Sequence, residues 1–229
     1  MNFELIQPWA TFVMKTKLPS NIVDSFLKIS DEIIASKESD AHELLAGQID
    51  HQYWVDEEMW HGAEWDYLTF GCQNYVQQSN KQSSNKTFPL DSWMIRMTSM
   101  WVNSQYDNEY FPIHKHMKCH IAGVFYLKVP EMLPTRQKYV DNDGVQDGCI
   151  EFINNTSTDP IFSHPCVQIP PQVGDFFIFS SKLHHQVYPF RTPDGKGERR
   201  SVSFNVIFSS KTEQEEYKRQ QEEQQNDKL

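Results

Sequence analysis

"FPIHKHMKCHIAGVFYL", Phe111–Leu127, changes character half-way along. Three imidazoles, His114, His116 and His120, come first, and an apolar, strand-like run follows from Ile121. On an extended segment, residues two apart point to the same face, so His114 and His116 form a pair. Imidazole is a good ligand for Fe, Zn, Cu and Ni. A His-x-His pair alone is a weak signal, because a lone histidine is usually a surface or core residue. A second pair strengthens it. His184 and His185 sit in "SSKLHHQVYPF", just past the strand-like "GDFFIFSS" (Gly174–Ser181). A closed jelly roll can bring the end of that strand beside His114 and His116, and either histidine of the second pair is then a candidate third ligand. His120, next to Cys119 at the start of its strand, reads as a packing or solvent-facing residue. His42, His51, His61 and His164 read as loop residues.

Around this stretch the chain is rich in short β-prone segments from Trp93 onward. "SWMIRMTSMWVN", "HIAGVFYLKV", "CIEFIN", "CVQI", "GDFFIFSS", "HQVYPF" and "RRSVSFNVIF" are separated by "NDG", "NNTSTDP", "PPQVG" and "TPDGKG". Short strands with such turn chemistry predict an antiparallel sandwich or jelly roll. Ahead of them, Glu4–Leu18 is apolar and β-prone, broken at Pro8. Ile22, Val23, Phe26, Leu27, Ile29 and Ile33 recur at helical spacing, which predicts an amphipathic helix over about 21–37. Ser20 or Asn21 is its expected cap, with Asp24 in the first turn. Glu38–Trp60 reads mainly as loop, Gly62–Asn80 as a second helix and Asn80–Lys86 as a linker. The expected organisation is an N-terminal strand with supporting helices over 1–90, a β core over 91–209 and a charged tail over 210–229. The loop Pro134–Gly148 is expected to shape the entrance. Its D-x-D-G start is no EF-hand, because Phe152 occupies the twelfth position from Asp141, where a bidentate glutamate is needed.

Composition narrows the function classes. The 229 residues carry a formal charge of −10, from 31 acidic and 21 basic side chains. Such a chain is poorly suited to non-specific nucleic-acid binding or to an anionic membrane surface. The expected partners are a small molecule or a protein. Cys72, Cys119, Cys149 and Cys166 are scattered without a C-x-x-C, which fits reduced thiols rather than a zinc ribbon. The N-terminus lacks a secretory pattern and no apolar stretch reaches membrane-spanning length, so a cytoplasmic location is expected.

"GERRSVSFNVIF" adds a further constraint. Strand alternation places Arg199, Ser201, Ser203 and Asn205 on one face and Arg200, Val202, Phe204 and Val206 on the other. A polar face on a late strand suits a ligand cavity, and an arginine there is the natural partner of a carboxylate. A surface salt bridge would serve equally well for Arg200.

Taken in order, these motifs resemble the iron(II)/2-oxoglutarate-dependent dioxygenases. They are most similar to a bacterial and phage subgroup with the pattern W-x-N, H-x-H, S-G-V-x-Y, G-D, F-P-S-x-L-x-H and R-x-S-x-S-F-N. The matching segments are "WVN" (Trp101–Asn103), "HKH", "AGVFY", "GDFFIFSSKLHH" and "RRSVSFN", and the resemblance covers about Trp93–Phe208. It implies a mainly β fold with N-terminal helices: a double-stranded β-helix, or jelly roll, supported by α-helices. It implies His114, His116 and His185, rather than His184, as catalytic metal ligands, and Arg199 as the residue that binds 2-oxoglutarate. It adds Tyr126, Ser201 and Asn103 to the cosubstrate site, Tyr126 by likeness to prolyl hydroxylases. The cofactor implied is Fe(II), with 2-oxoglutarate and O2 as cosubstrates. The implied activity is hydroxylation, of a peptidyl residue or a small molecule, with release of succinate and CO2. Ala122 and Ser180 depart harmlessly from the subgroup pattern. His116 stands where most of the superfamily has aspartate or glutamate. Asp175 is the expected compensating acid near the site, and the three imidazoles are expected to lose metal together below about pH 6. Two other readings of the residues are a three-histidine cupin-like dioxygenase without 2-oxoglutarate and a non-catalytic jelly-roll binding protein.

Overall fold

The computed structural model describes residues 11–84, 93–134, 147–155, 165–213, 215, 216 and 219. Most of the expected entrance loop Pro134–Gly148, His164, most of the tail and the chain before residue 11 lie outside the described residues.

Among the described residues ten strands, numbered in chain order, form two antiparallel sheets. The larger has the order β1 (Val13–Lys17), β8 (Asp175–Ser180), β5 (Ile121–Lys128), β10 (Arg199–Ser210), β3 (Trp93–Gln105), β2 (Gln52–Trp54). The smaller has the order β4 (Phe111–His114), β9 (His185–Val187), β6 (Ile150–Ile153), β7 (Cys166–Ile169). This is the predicted jelly roll. The larger sheet is backed by α1 (Ser20–Ser36) and α2 (Ala63–Ser84). The segment before the β-rich region therefore supplies both helices and the two edge strands of the larger sheet. β2, inside the stretch that reads as loop, is too short for a periodic signal.

Two apolar layers follow from period-2 alternation along the central strands. Phe125 of β5, Phe176 and Ile178 of β8, and Val202, Phe204 and Val206 of β10 face the helices and pack with Ile22, Phe26, Leu68 and Cys72. Ala122, Val124 and Tyr126 of β5, with Phe177 and Phe179 of β8, face the interior and meet Ile150 and Phe152 of β6. β5 and β8 are apolar on both faces because both faces are covered.

The first helix starts one residue earlier than predicted. Pro19 is its N-cap, no side chain caps the first turn, and no acidic residue lies in it, so neither Ser20 nor Asn21 nor Asp24 plays the expected part. Proline can hold that position because the first N–H groups have no intrahelical acceptors anyway. An ion-pair group around the buried Arg200 fixes α1 instead. Arg200 reaches Glu198 at 2.6 Å, Asp31 at 2.5 Å and Ser30 Oγ at 3.0 Å, which ties the helix to β10 on the face away from the interior.

Gly123 sits in the middle of β5, where a Cβ would lie 2.2 Å from Phe204 Cζ and 2.5 Å from Cε1. The ring cannot retreat, since it is itself fully buried beneath the helices. Gly123→Ala should therefore cost about 1–3 kcal/mol by overpacking, read by denaturant unfolding. Phe204→Leu in the same chain should recover part of that loss.

Candidate metal centre

β4 ends at His114, whose Cα is paired with His185 at the start of β9. His116 lies just beyond β4, and its backbone N–H donates to Ser181 O at 2.9 Å, which fixes it to the turn between β8 and β9. The ligand atoms of His114, His116 and His185 all lie within 4.8 Å of one another. The ring centroids are 4.2 Å apart for His114–His185, 5.4 Å for His114–His116 and 5.2 Å for His116–His185.

Two of the rings are held the same way. His114 Nδ1 donates to Pro112 O at 2.7 Å and His185 Nδ1 to Leu183 O at 3.0 Å. A carbonyl only accepts, so each proton sits on Nδ1 and leaves an Nε2 lone pair for the centre. His185 Nε2 faces His116 Nε2 at 3.3 Å. Burial keeps all three rings neutral. It lowers the pKa of His114, holds His185 well below the usual histidine value and takes His116 down to about 4, with the neighbouring imidazoles adding to the effect on His116 and His185. Neutral, converging nitrogens are the donor set a divalent transition metal takes. Trp101 stacks over His116 at 5.8 Å, and Phe179 meets His185 edge-on at 4.7 Å.

These histidines open onto a cavity of about 460 Å³, part of it open to solvent, which Arg199 and Tyr126 also line. Arg199 is only 2% exposed. Its guanidinium donates to Gly148 O and Gln105 Oε1 and lies 5.0 Å over the Phe190 ring. No carboxylate pairs with it among the described residues. Burial lowers its pKa to about 10, so it is still a cation near neutral pH. Burial likewise raises Tyr126 to about 12, which keeps the phenol protonated as a donor. A buried charge without a counter-ion is costly, so the cavity is matched to an anion.

The other predicted residues are accounted for individually. Ser201 lines the cavity with Ser203. Asn103 does not line it: the amide is buried behind the two serines, donating to Ser203 Oγ at 3.1 Å and Ser201 Oγ at 3.4 Å. Asp175 is not beside the histidines. It binds Lys17 at 2.8 Å and Lys15 at 3.1 Å, and so fastens β1 to β8. His184 is half-buried and contacts Asn155 Nδ2 at 2.5 Å, apart from the cluster. His120 is exposed and accepts the Phe208 N–H at 3.1 Å. Sequence reasoning missed Trp101 and Gln105 as lining residues. The signal was present, since they share strand parity with Asn103 on β3.

Residues 99–205 match the sequence profile of the family described as "Putative 2OG-Fe(II) oxygenase". The solved structures similar to the chain share its fold at low identity. A prolyl-4-hydroxylase from Pseudomonas putida superposes with TM-score 0.51 at 14% identity, covering 86% of this chain and 93% of its own. A prolyl hydroxylase from Trichoplax adhaerens, solved with a hypoxia-inducible-factor peptide fragment, gives 0.52 at 16%, covering 88% and 84%. HygX from Streptomyces hygroscopicus, solved with nickel, 2-oxoglutarate and hygromycin B, gives 0.51 at 9%, covering 88% and 84%. No protein of curated function matches the chain in sequence. That match, together with the cluster of three histidines, reads as an oxygenase that uses Fe(II), 2-oxoglutarate and O2 rather than as the cupin-like or the non-catalytic alternative. No helix among the described residues is long and apolar enough to cross a membrane.

The neutral imidazoles set a pH dependence. An unfolded chain protonates histidine near 6.5, whereas His116 in the fold resists until about 4. Above the first value both states are neutral. Below it the unfolded state gains protons that the fold excludes, so stability is lost as pH falls between the two. The thermal midpoint of the metal-free protein should be flat above about pH 6.5 and decline towards about pH 4. The decline should be shallower in His116→Gln.

Proposed function

We propose that His114, His116 and His185 hold Fe(II), and that Arg199 and Tyr126 hold the distal carboxylate of 2-oxoglutarate, in an oxygenase that hydroxylates an unactivated C–H bond. The observation that carries this reading is a buried guanidinium that no carboxylate among the described residues pairs with, in the same cavity as three converging neutral imidazoles. Bound Fe(II) supplies the oxidising chemistry, in which O2 is consumed, 2-oxoglutarate gives succinate and CO2, and C–H becomes C–OH. The chain's own residues bind, orient and exclude water. Three neutral ligands leave the full charge of a divalent ion, where an aspartate at position 116 would cancel one unit. A dianionic cosubstrate suits that charge, and Arg199 fixes its far end with two parallel hydrogen bonds.

For the substrate we propose a peptidyl residue. β4 is an edge strand of the smaller sheet, and its neighbourhood exposes Ile113 at 58% and Met117 at 67% beside the histidines. An exposed edge with apolar side chains suits an extended segment laid along it. Succinate release screened over peptide and metabolite libraries tests this. Turnover with a small metabolite and none with peptides would overturn the peptidyl assignment.

Alanine at His114, His116 or His185 should abolish stoichiometric Fe(II) binding in metal analysis, whereas His116→Asp restores the common triad and should retain it. Arg199→Ala should weaken 2-oxoglutarate binding by about 2–5 kcal/mol while sparing Fe(II). Arg200→Ala, on the helix side of the same strand, should lower the thermal midpoint and leave 2-oxoglutarate affinity unchanged.

A further inference from the structure

The pairing of β3 with β10 sets Asn103 opposite Ser201 and Trp101 opposite Ser203. Trp101, Ser201 and Ser203 line the cavity, and the Asn103 amide lies behind the serines, 1% exposed. Its oxygen is already engaged: Gln52 Nε2, from β2, donates to Asn103 Oδ1 at 2.8 Å. The Asn103 NH2 therefore faces both serine oxygens, at 3.1 Å and 3.4 Å. An amide nitrogen donates and does not accept, so neither hydroxyl hydrogen can point back at it. Neither hydrogen has an acceptor among the described residues, and the open direction is the cavity. The buried Trp101 Nε1–H on the same wall also lacks an acceptor. The setting seen leaves Gln52 Oε1 short of a donor.

We propose that Asn103, backed by Gln52, is a positioning residue that fixes the polarity of Ser201 and Ser203, so that the cavity wall presents hydrogen-bond donors to an oxyanion. The inference rests on 2-oxoglutarate occupying this cavity. It assigns Asn103 a role at one remove: the amide touches no ligand and acts by turning two hydroxyls. It also gives β2 a function beyond edge pairing, as the source of the group that orients the amide.

The test is Asn103→Asp, which keeps the shape and the bond from Gln52 but turns the second oxygen into an acceptor for the serines. Their hydrogens then point away from the cavity. Binding of 2-oxoglutarate to the Fe(II)-loaded protein is measured by anaerobic calorimetry, alone and in a Ser201→Ala/Ser203→Ala background. The dissociation constant should rise at least about tenfold in the parent, since each lost bond goes to a charged group. In the serine-free background the same substitution should have a clearly smaller effect, leaving only repulsion between its carboxylate and the dianion. An equal factor in both backgrounds, or none in the parent, overturns the proposal. Should the aspartate variant fail to fold, Gln52→Leu serves instead. It frees the amide to turn, and it should weaken binding in the parent and not in the serine-free background. A parent protein that takes up Fe(II) but no 2-oxoglutarate overturns the functional reading itself, and is recognised before any variant is compared.

Discussion

Alternation along β10 is the constraint on which the rest of the structure depends. Val202, Phe204 and Val206 turn one way and meet α1, α2, β5 and β8 in the main core. Arg199, Ser201 and Ser203 turn the other way and line the cavity. One strand thus bears both the apolar layer that stabilises the sheet and the polar layer that serves the ligand. A slip of one residue would exchange the two faces and put Arg199 among phenylalanines. The strand is held against such a slip from both sides. Its register with β3 runs from Arg199 opposite Gln105 to Ser210 opposite Trp93, and β5 pairs its other edge from Arg200 to Val206. Arg200 adds a lock of another kind, an ion-pair group with Glu198 and Asp31 that would be lost in the shifted register.

The proposed site joins two electrostatic features that a metal and a dianionic cosubstrate together would satisfy. At one end, burial keeps three imidazoles neutral and so ready for a cation. At the other, a buried guanidinium is held by carbonyl and amide oxygens that leave its charge uncancelled. Each arrangement is unfavourable without its ligand. No carboxylate among the described residues joins the three histidines, and Asp175, an acid close in sequence to His185, is occupied with Lys15 and Lys17. On the proposed reading, negative charge at the centre is left to the cosubstrate.

Much of this was legible in the chain. The apolar run of β5, the alternation of β10 and the periodicity of α1 are local patterns, and they survive in the fold because burial enforces them. The histidine pair at 114 and 116 was visible for the same reason. What was not legible depends on registers between distant segments. Whether His184 or His185 turns inward is decided by the pairing of His185 with His114, and only family resemblance anticipated it. Asn103 was expected to touch the ligand, but its place behind Ser201 and Ser203 follows from a contact 98 residues away in sequence. The lysines that claim Asp175 lie on β1, at the far end of the chain. The helix start failed differently: serine and asparagine favour caps, yet packing of Ile22, Val23 and Phe26 fixed the boundary with no cap at all.

The central claim is that one cavity holds Fe(II) through the three histidines and 2-oxoglutarate through Arg199. The most direct measurement is the visible spectrum of the purified protein under anaerobic conditions, with Fe(II) and 2-oxoglutarate added separately and together. A metal-to-ligand charge-transfer band that needs both additions, and that is lost in His185→Ala, is the result this account requires. Stoichiometric Fe(II) binding with no band at saturating 2-oxoglutarate would contradict it.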